Sequence, residues 1–160
     1  MRYIVTLTSY GHRVESIAPY AVCSLLNQTL APDRIIFWLA YDTPVPPILR
    51  KLCGIGLEIK FCEDLKSYKK LVPAMIEFSN DVLITAGDDH LYPNNWFEQL
   101  KMAFLEDTSK ICVHRAHDPT LNQSSTTSVP YIKAGYEIGS VGSYTTPWWN
   151  QGSENNSGGY

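Results

Sequence analysis

The sequence predicts an α/β domain whose mostly parallel sheet is flanked by helices. Short apolar, strand-like runs alternate with helical patterns from Tyr3 to His114, the order that builds parallel sheets through helical crossovers. One of those runs, Arg34 to Ala40 (RIIFWLA), is apolar almost throughout, as suits a strand covered on both faces. Polar clusters fall where such strands would end: Thr8-Ser9-Tyr10, Glu63-Asp64 and Asp88-Asp89-His90. Ligands of parallel sheets sit beyond those carboxyl ends.

The elements follow in order. Tyr3 to Ser9 (YIVTLTS) is short and β-branched, a buried strand punctuated by Gly11. Val14, Ile17, Ala21 and Leu25, joined by Val22 and Leu26, form a stripe that predicts a helix from Arg13 to Asn27. Pro19 offers a later start for it. Pro32-Asp33 breaks the chain before the second strand, Arg34 to Ala40. A proline-rich turn from Asp42 to Pro47 leads to a short helix, Ile48 to Cys53, closed by Gly54. Leu57 to Cys62 (LEIKFC) alternates as a third strand, and Ser67 is positioned to cap a helix from Tyr68 to Phe78. Asp81 to Ala86 (DVLITA) reads as a fourth strand. Asn94 would cap a helix to Leu105 with Trp96, Leu100 and Phe104 on one face, before a fifth strand, Lys110 to His114 (KICVH). From Asp118 onward Ser, Thr, Asn, Gly and Pro dominate. The chain therefore divides into an α/β core, 1–117, and an irregular segment, 118–160. That segment reads either as a cover over the substrate or as the start of a second half.

Composition narrows the function classes. A chain of 160 residues suits one domain, and 44% hydrophobic with 18% charged residues is ordinary for a soluble globular protein. The formal net charge of -3 argues against a nucleic-acid partner. No apolar run approaches the roughly 20 residues of a transmembrane helix, and Met1 to Tyr10 lacks the apolar core of a signal peptide. A cytoplasmic location is the expectation, with peripheral membrane association left open. Cys23, Cys53, Cys62 and Cys112 match no zinc or redox spacing and read as reduced, buried structural thiols.

The chemistry-bearing signal is Gly87-Asp88-Asp89-His90 after the fourth strand. Hard oxygen ligands at a strand end suit Mg²⁺ or Mn²⁺, which complete their shells with water and substrate phosphates. An acid pair alone is a weak signal, since such pairs also cap helices or face water. Five ordered runs give it context: LTSYGHR (Leu7 to Arg13), SLLNQTLAPDRIIFWL (Ser24 to Leu39), CEDLKSYKKLVPA (Cys62 to Ala74), ITAGDDHLYPNNW (Ile84 to Trp96) and VHRAH (Val113 to His117). Together these resemble a bacterial group of GT-A glycosyltransferases, of the family 2 type that decorates cell-surface polysaccharide. The resemblance covers most of 3–117, the nucleotide-binding portion.

The resemblance implies a Rossmann-like GT-A fold, a nucleotide-diphosphate-sugar donor and a saccharide or glycan acceptor. It implies that Thr8, Tyr10 and Arg13 hold the base and ribose, that Asp64 accepts a hydrogen bond from the base, and that Lys70 lies near the phosphates. The alternative for Lys66, Lys69 and Lys70 is a solvated helix face. The group usually carries Ala-Asp-Asp-Asp where this chain has Ala86-Gly87-Asp88-Asp89, so the first acid is missing. Asp89 then holds the main ligand position, with Asp88 contributing to nucleotide and metal. In a second register, DxH, Asp88 and His90 are the ligands, and imidazole would favour Mn²⁺. On extended chain Asp88 and His90 would share a face that Asp89 does not. His114, Arg115 and His117 read as edge hydrogen-bonders or pocket lining, and Trp148 and Trp149 as sugar-stacking or packing groups.

The implied reaction transfers a sugar to an acceptor hydroxyl while the cation stabilises the departing diphosphate. An inverting enzyme needs a carboxylate base. Glu137 and Glu154 are the only acids after Asp118, and neither sits in a recognisable motif, so the catalytic residue is unassigned. A nucleotide- or sugar-binding module without transfer activity is the alternative. A nucleotidyltransferase would carry a Gly-rich basic loop where LTSYGHR has one glycine, and the absence of GxGxxG counts against a Rossmann oxidoreductase.

Overall fold

Strand β1, Tyr3–Thr8, forms where six successive residues are apolar or β-branched, and five of the six are buried. A computed structural model describes residues 1–114 and Gly139–Ser140. The elements after β1 are α1 (Arg13–Ser16), α2 (Ala18–Leu26), β2 (Arg34–Ala40), α3 (Pro47–Cys53), β3 (Leu57–Cys62), a 3-10 helix (Lys66–Lys70), α4 (Val72–Glu77), β4 (Val82–Thr85), α5 (Trp96–Glu106), β5 (Cys112–Val113) and β6 (Gly139–Ser140). The chain divides into two compact units, Met1–Glu98 and Gln99–Tyr160, with the boundary inside α5.

The first unit is an α/β layer structure. Its sheet runs β3-β2-β1-β4, and every pairing is parallel. The steps from β1 to β2 and from β2 to β3 run in one direction. Right-handed crossovers then place α1, α2 and α3 on one face. The step from β3 back to β4 reverses, which puts the 3-10 helix and α4 on the other face. Packing agrees, because Ala74 and Phe78 at α4 lie with Ile4, Ile36, Trp38 and Cys62 in one buried cluster. By alternation Ile35, Phe37 and Leu39 face the opposite layer, and all three are buried.

Several expectations need correction. The single helix over Arg13 to Asn27 is two helices, broken at Ile17. Pro19 near the start of α2 has no N–H to continue the ladder, and its ring disfavours helical backbone before it. Likewise the helix expected from Tyr68 splits. Lys66 takes a positive φ of 53°, Ser67 lies inside the 3-10 helix rather than capping it, and Pro73 sits in the first turn of α4. Helix α5 begins at Trp96, so Asn95 rather than Asn94 stands just before it. Strand β5 is shorter than expected and pairs with β6 in a separate two-stranded parallel sheet. Cys23 and Cys53 are exposed, while Cys62 is buried; Cys23 lies off the buried stripe of Ala21, Val22 and Leu25.

Side chains fix the strand ends. Asp33 accepts from the Tyr3 N–H at 2.7 Å, and Asp81 pairs with Arg2 at 2.7 Å. Across β2 and β3, Arg34 grips Glu58 through both carboxylate oxygens, and its guanidinium lies 4.8 Å from the Phe78 ring centroid. The Arg34 hydrogen bond outweighs partial burial and holds the Glu58 carboxyl below its ordinary value of 4.5. The unfolded chain therefore takes up this proton before the native one does. The stabilisation is complete above about pH 4.5 and declines as pH falls through the lower native value. Urea midpoints compared at pH 7 and pH 3 should show a smaller acid loss in Glu58→Gln than in the parent; equal losses would assign the acid sensitivity elsewhere.

Candidate functional site

The strand order reverses between β1 and β4, which lie side by side with Val5 opposite Ile84 and Thr6 opposite Thr85. Loops leaving such a pair of strands diverge and open a crevice at the carboxyl edge. After β1 that edge carries Ser9, Tyr10 and Arg13, and after β4 it carries Gly87, Asp88, Asp89 and His90. Gly11, with φ of 55°, turns the chain between Tyr10 and α1 in a conformation that favours glycine. The turn delivers Arg13, the first residue of α1, back toward the sheet.

One arginine atom joins the two loops. Arg13 Nη2 lies 2.6 Å from Asp88 Oδ1 and 2.9 Å from Asp89 Oδ2. The buried Ser9 hydroxyl donates to the other oxygen of Asp88, and His90 Nδ1 lies 2.7 Å from the other oxygen of Asp89. The Asp88 side chain is 13% exposed and that of Asp89 48%. Burial pushes Asp89 up, but the Arg13 hydrogen bond and the neighbouring His90 outweigh it and hold the carboxyl below its ordinary range. Tyr10 is exposed, and its ring lies 5.6 Å from Arg13 Cζ, within cation–π distance.

The chain bends at Asp88 and Asp89, so the strand alternation expected to separate them does not apply. Asp88 and Asp89 are the pair that converge on one point, while His90 is bound to Asp89. Two carboxylates directed at one cationic atom are the donor chemistry a hard divalent ion takes, its remaining ligands being water and phosphate. In this respect the residues fit Mg²⁺ or Mn²⁺, with Arg13 Nη2 at the point of convergence. Among the described residues no group of three or more His, Cys, Asp and Glu is arranged to hold a metal.

The loop bearing the acids is pinned from behind. The Tyr92 hydroxyl accepts from the Gly87 N–H at 2.6 Å and donates to the Gly87 carbonyl at 3.0 Å. Burial pushes the Tyr92 phenol far up, so it keeps the proton this second bond requires. Its ring lies 4.5 Å from that of Trp96. Gln28, just beyond α2, donates to the Pro93 carbonyl and accepts from the Phe97 N–H, both at 2.9 Å. Ser24 accepts from the Tyr92 N–H at 3.0 Å. Sequence reasoning assigned no role to Ser24, Gln28 or Tyr92. The available signal was two small or amide polar residues, Ser24 and Gln28, at and just past the end of an apolar helix.

Gly87 stands where the resemblance has an acid, and the side chains of Asp89 and His90 lie against it. A Cβ at this position would lie 2.9 Å from His90 Nδ1 and 3.1 Å from Asp89 Oδ1. Both atoms belong to half-exposed side chains, so Gly87→Ala should cost about 1 kcal/mol or less, the scale of shifting a side chain off its rotamer, through displacement of the imidazole. In a His90→Ala background the same change should cost much less. Additive thermal shifts in that double-mutant cycle would show that the two positions do not compete for space.

The remaining assigned residues lie apart from the Arg13 cluster in their bonding. Thr8 spends its hydroxyl on the Trp38 carbonyl at 2.7 Å. Asp64 pairs with Lys69 at 2.6 Å and with Lys66, and these hydrogen bonds hold its carboxyl well below the usual range. Both its oxygens are therefore engaged by the 3-10 helix that follows it. Lys69 is 3% exposed, which corrects the reading of these lysines as one solvated face. Lys70 is half-buried, and its carbonyl accepts from Thr6 at 2.7 Å. His114 directly follows β5. Arg115, His117, Glu137, Trp148, Trp149 and Glu154 lie outside the described residues.

No protein-family model matches the chain, and no curated protein matches it.

Proposed function

We propose that this chain is the nucleotide-sugar-binding part of a Rossmann-like, GT-A-type glycosyltransferase. It would transfer a sugar from a nucleotide-diphosphate donor to a hydroxyl of a saccharide or glycan acceptor. The observation that carries the reading is the convergence of Asp88 and Asp89 on one cationic point where the strand order reverses. Topology directs ligands to that edge of a parallel sheet, and the acids give it the chemistry for a cation-bridged diphosphate.

A bound Mn²⁺ or Mg²⁺ supplies Lewis-acid stabilisation of the diphosphate leaving group. Asp88 and Asp89 would hold it. Ser9 orients Asp88 by donating to one carboxylate oxygen, and His90 does the same for Asp89. Tyr92 keeps both acids at the rim by fixing the backbone of Gly87. Tyr10 offers an exposed ring beside the site, suited to stacking on a nucleotide base. Lys70 and Thr8 belong to the same donor-binding proposal, with Thr8 acting through its backbone because its hydroxyl is bonded to β2. Asp64 contacts the base in this reading only after yielding one of its lysines.

Among the described residues no helix is long and apolar enough to cross a membrane. A cytoplasmic enzyme, free or peripherally bound to a membrane, is part of the proposal. Calorimetry with UDP, GDP and CDP, each with and without Mn²⁺, tests the reading. It requires one nucleotide to bind more tightly with the ion, and donor turnover then separates transferase from binder. A metal-dependent binder without turnover is the second reading. It is favoured by the glycine at position 87, where the resemblance implies an acid.

A further inference from the structure

We infer that Arg13 is the resident counter-cation of the Asp88–Asp89 pair, and that it must be displaced for a divalent ion to bind there. The inference rests on the donor-binding reading only for the identity of the competitor. Arg13 Nη2 lies within 2.6 Å and 2.9 Å of one oxygen from each acid. Those are hydrogen-bond lengths for a charged pair, so the guanidinium occupies the point of convergence instead of bordering it. A dication cannot share that point with a guanidinium, because like charges in contact repel.

The two acids are the charged partners that hold the arginine there, with Tyr10 beside it. The arginine Nε is buried without a hydrogen-bond partner, so the surrounding pocket is not built to saturate the guanidinium in this pose. Arg13 also stands at the start of a four-residue helix, two residues beyond Gly11, where the backbone turns. The exposed Tyr10 ring, 5.6 Å from Cζ in this same pose, lies on the path by which the guanidinium would leave toward solvent. Once released, a planar guanidinium suits two oxygens of a diphosphate. Ion and diphosphate then favour each other's binding, since the first frees the group that meets the second.

Manganese titration of the whole chain decides this, with free Mn²⁺ followed by its electron paramagnetic resonance signal and no nucleotide present. Arg13→Gln should bind Mn²⁺ about ten- to a hundredfold more tightly than the parent, the range expected when a charge-assisted competitor is removed. Arg13→Met, which keeps much of the apolar stem, should do the same, and a melting curve establishes that each variant is folded. Mn²⁺ affinity that is equal to or weaker than the parent's in both folded variants overturns the inference. Nucleotide binding is measured separately: a parent chain that binds no nucleoside diphosphate at saturating Mn²⁺ removes the proposed function, while the competition is still decided by manganese alone.

Discussion

Asp88→Asn is expected to abolish metal-dependent nucleotide binding, lowering affinity by about a hundredfold or more, the combined scale of a lost charged hydrogen bond and a weakened metal site. Asp88 is the less exposed of the two acids, and both its oxygens are committed, one to Ser9 and one to Arg13. The amide keeps the shape and can still accept from Ser9. It loses the charge that holds Arg13 and would hold an ion. Asp89→Ala is expected to remove the metal-dependent part of the affinity as well. Because Asp89 is more exposed and also binds His90, its loss should disturb the fold less than that of Asp88. His90→Ala should spare most of the affinity, since His90 reaches the site through Asp89. Calorimetry of the three variants with Mn²⁺ and the preferred nucleotide checks this order. Parent-like affinity in Asp88→Asn would remove the acid pair from the binding site.

The second large effect concerns the fold. Phe37→Ala should lower unfolding free energy by about 3–5 kcal/mol, the range for a buried aromatic cut back to alanine. Phe37 is fully buried in β2, which is bonded to β1 on one side and β3 on the other. Neither neighbour can move inward to fill the space without distorting its own ladder. Urea unfolding followed by circular dichroism reads the loss. A cost below about 1 kcal/mol would mean that the layer over this face collapses onto the cavity. Since total stabilities are only about 5–15 kcal/mol, the substitution should also depress the yield of folded protein.

Parts of this architecture were legible in the sequence because one force dominated. Arg34–Ala40 and Leu57–Cys62 form strands with the expected bounds, since burial on one or both faces imprints a direct pattern on the residues. Helix bounds were less legible where proline competed with periodicity. The stripe from Val14 to Leu26 is continuous on paper, yet Pro19 divides it. The acid pair was visible as polar residues at the end of an apolar strand. Its partners were only partly visible. Arg13 was readable as a site residue, but its reach to both acids depends on a turn at Gly11 that spacing alone does not orient. Tyr92 was unreadable as a backbone clamp, because a hydroxyl serving an amide five residues away leaves no periodic trace. Lys69 shows the same limit, its burial following from how the 3-10 helix rests on β1 and β2 and from the neighbouring Asp64.

The reversal of strand order also governs how the chain can assemble. Strand β1 is interior, yet one of its two neighbours, β4, follows it by nearly eighty positions, Tyr3 pairing with Val82. Until β4 is synthesised, β1 presents an open edge, and contacts so distant in sequence are slow to form. Exposed edges of apolar strands recruit other chains. Nascent chains stalled between β3 and β4 should therefore be the most adhesive species during synthesis, and those for which chaperone capture matters most.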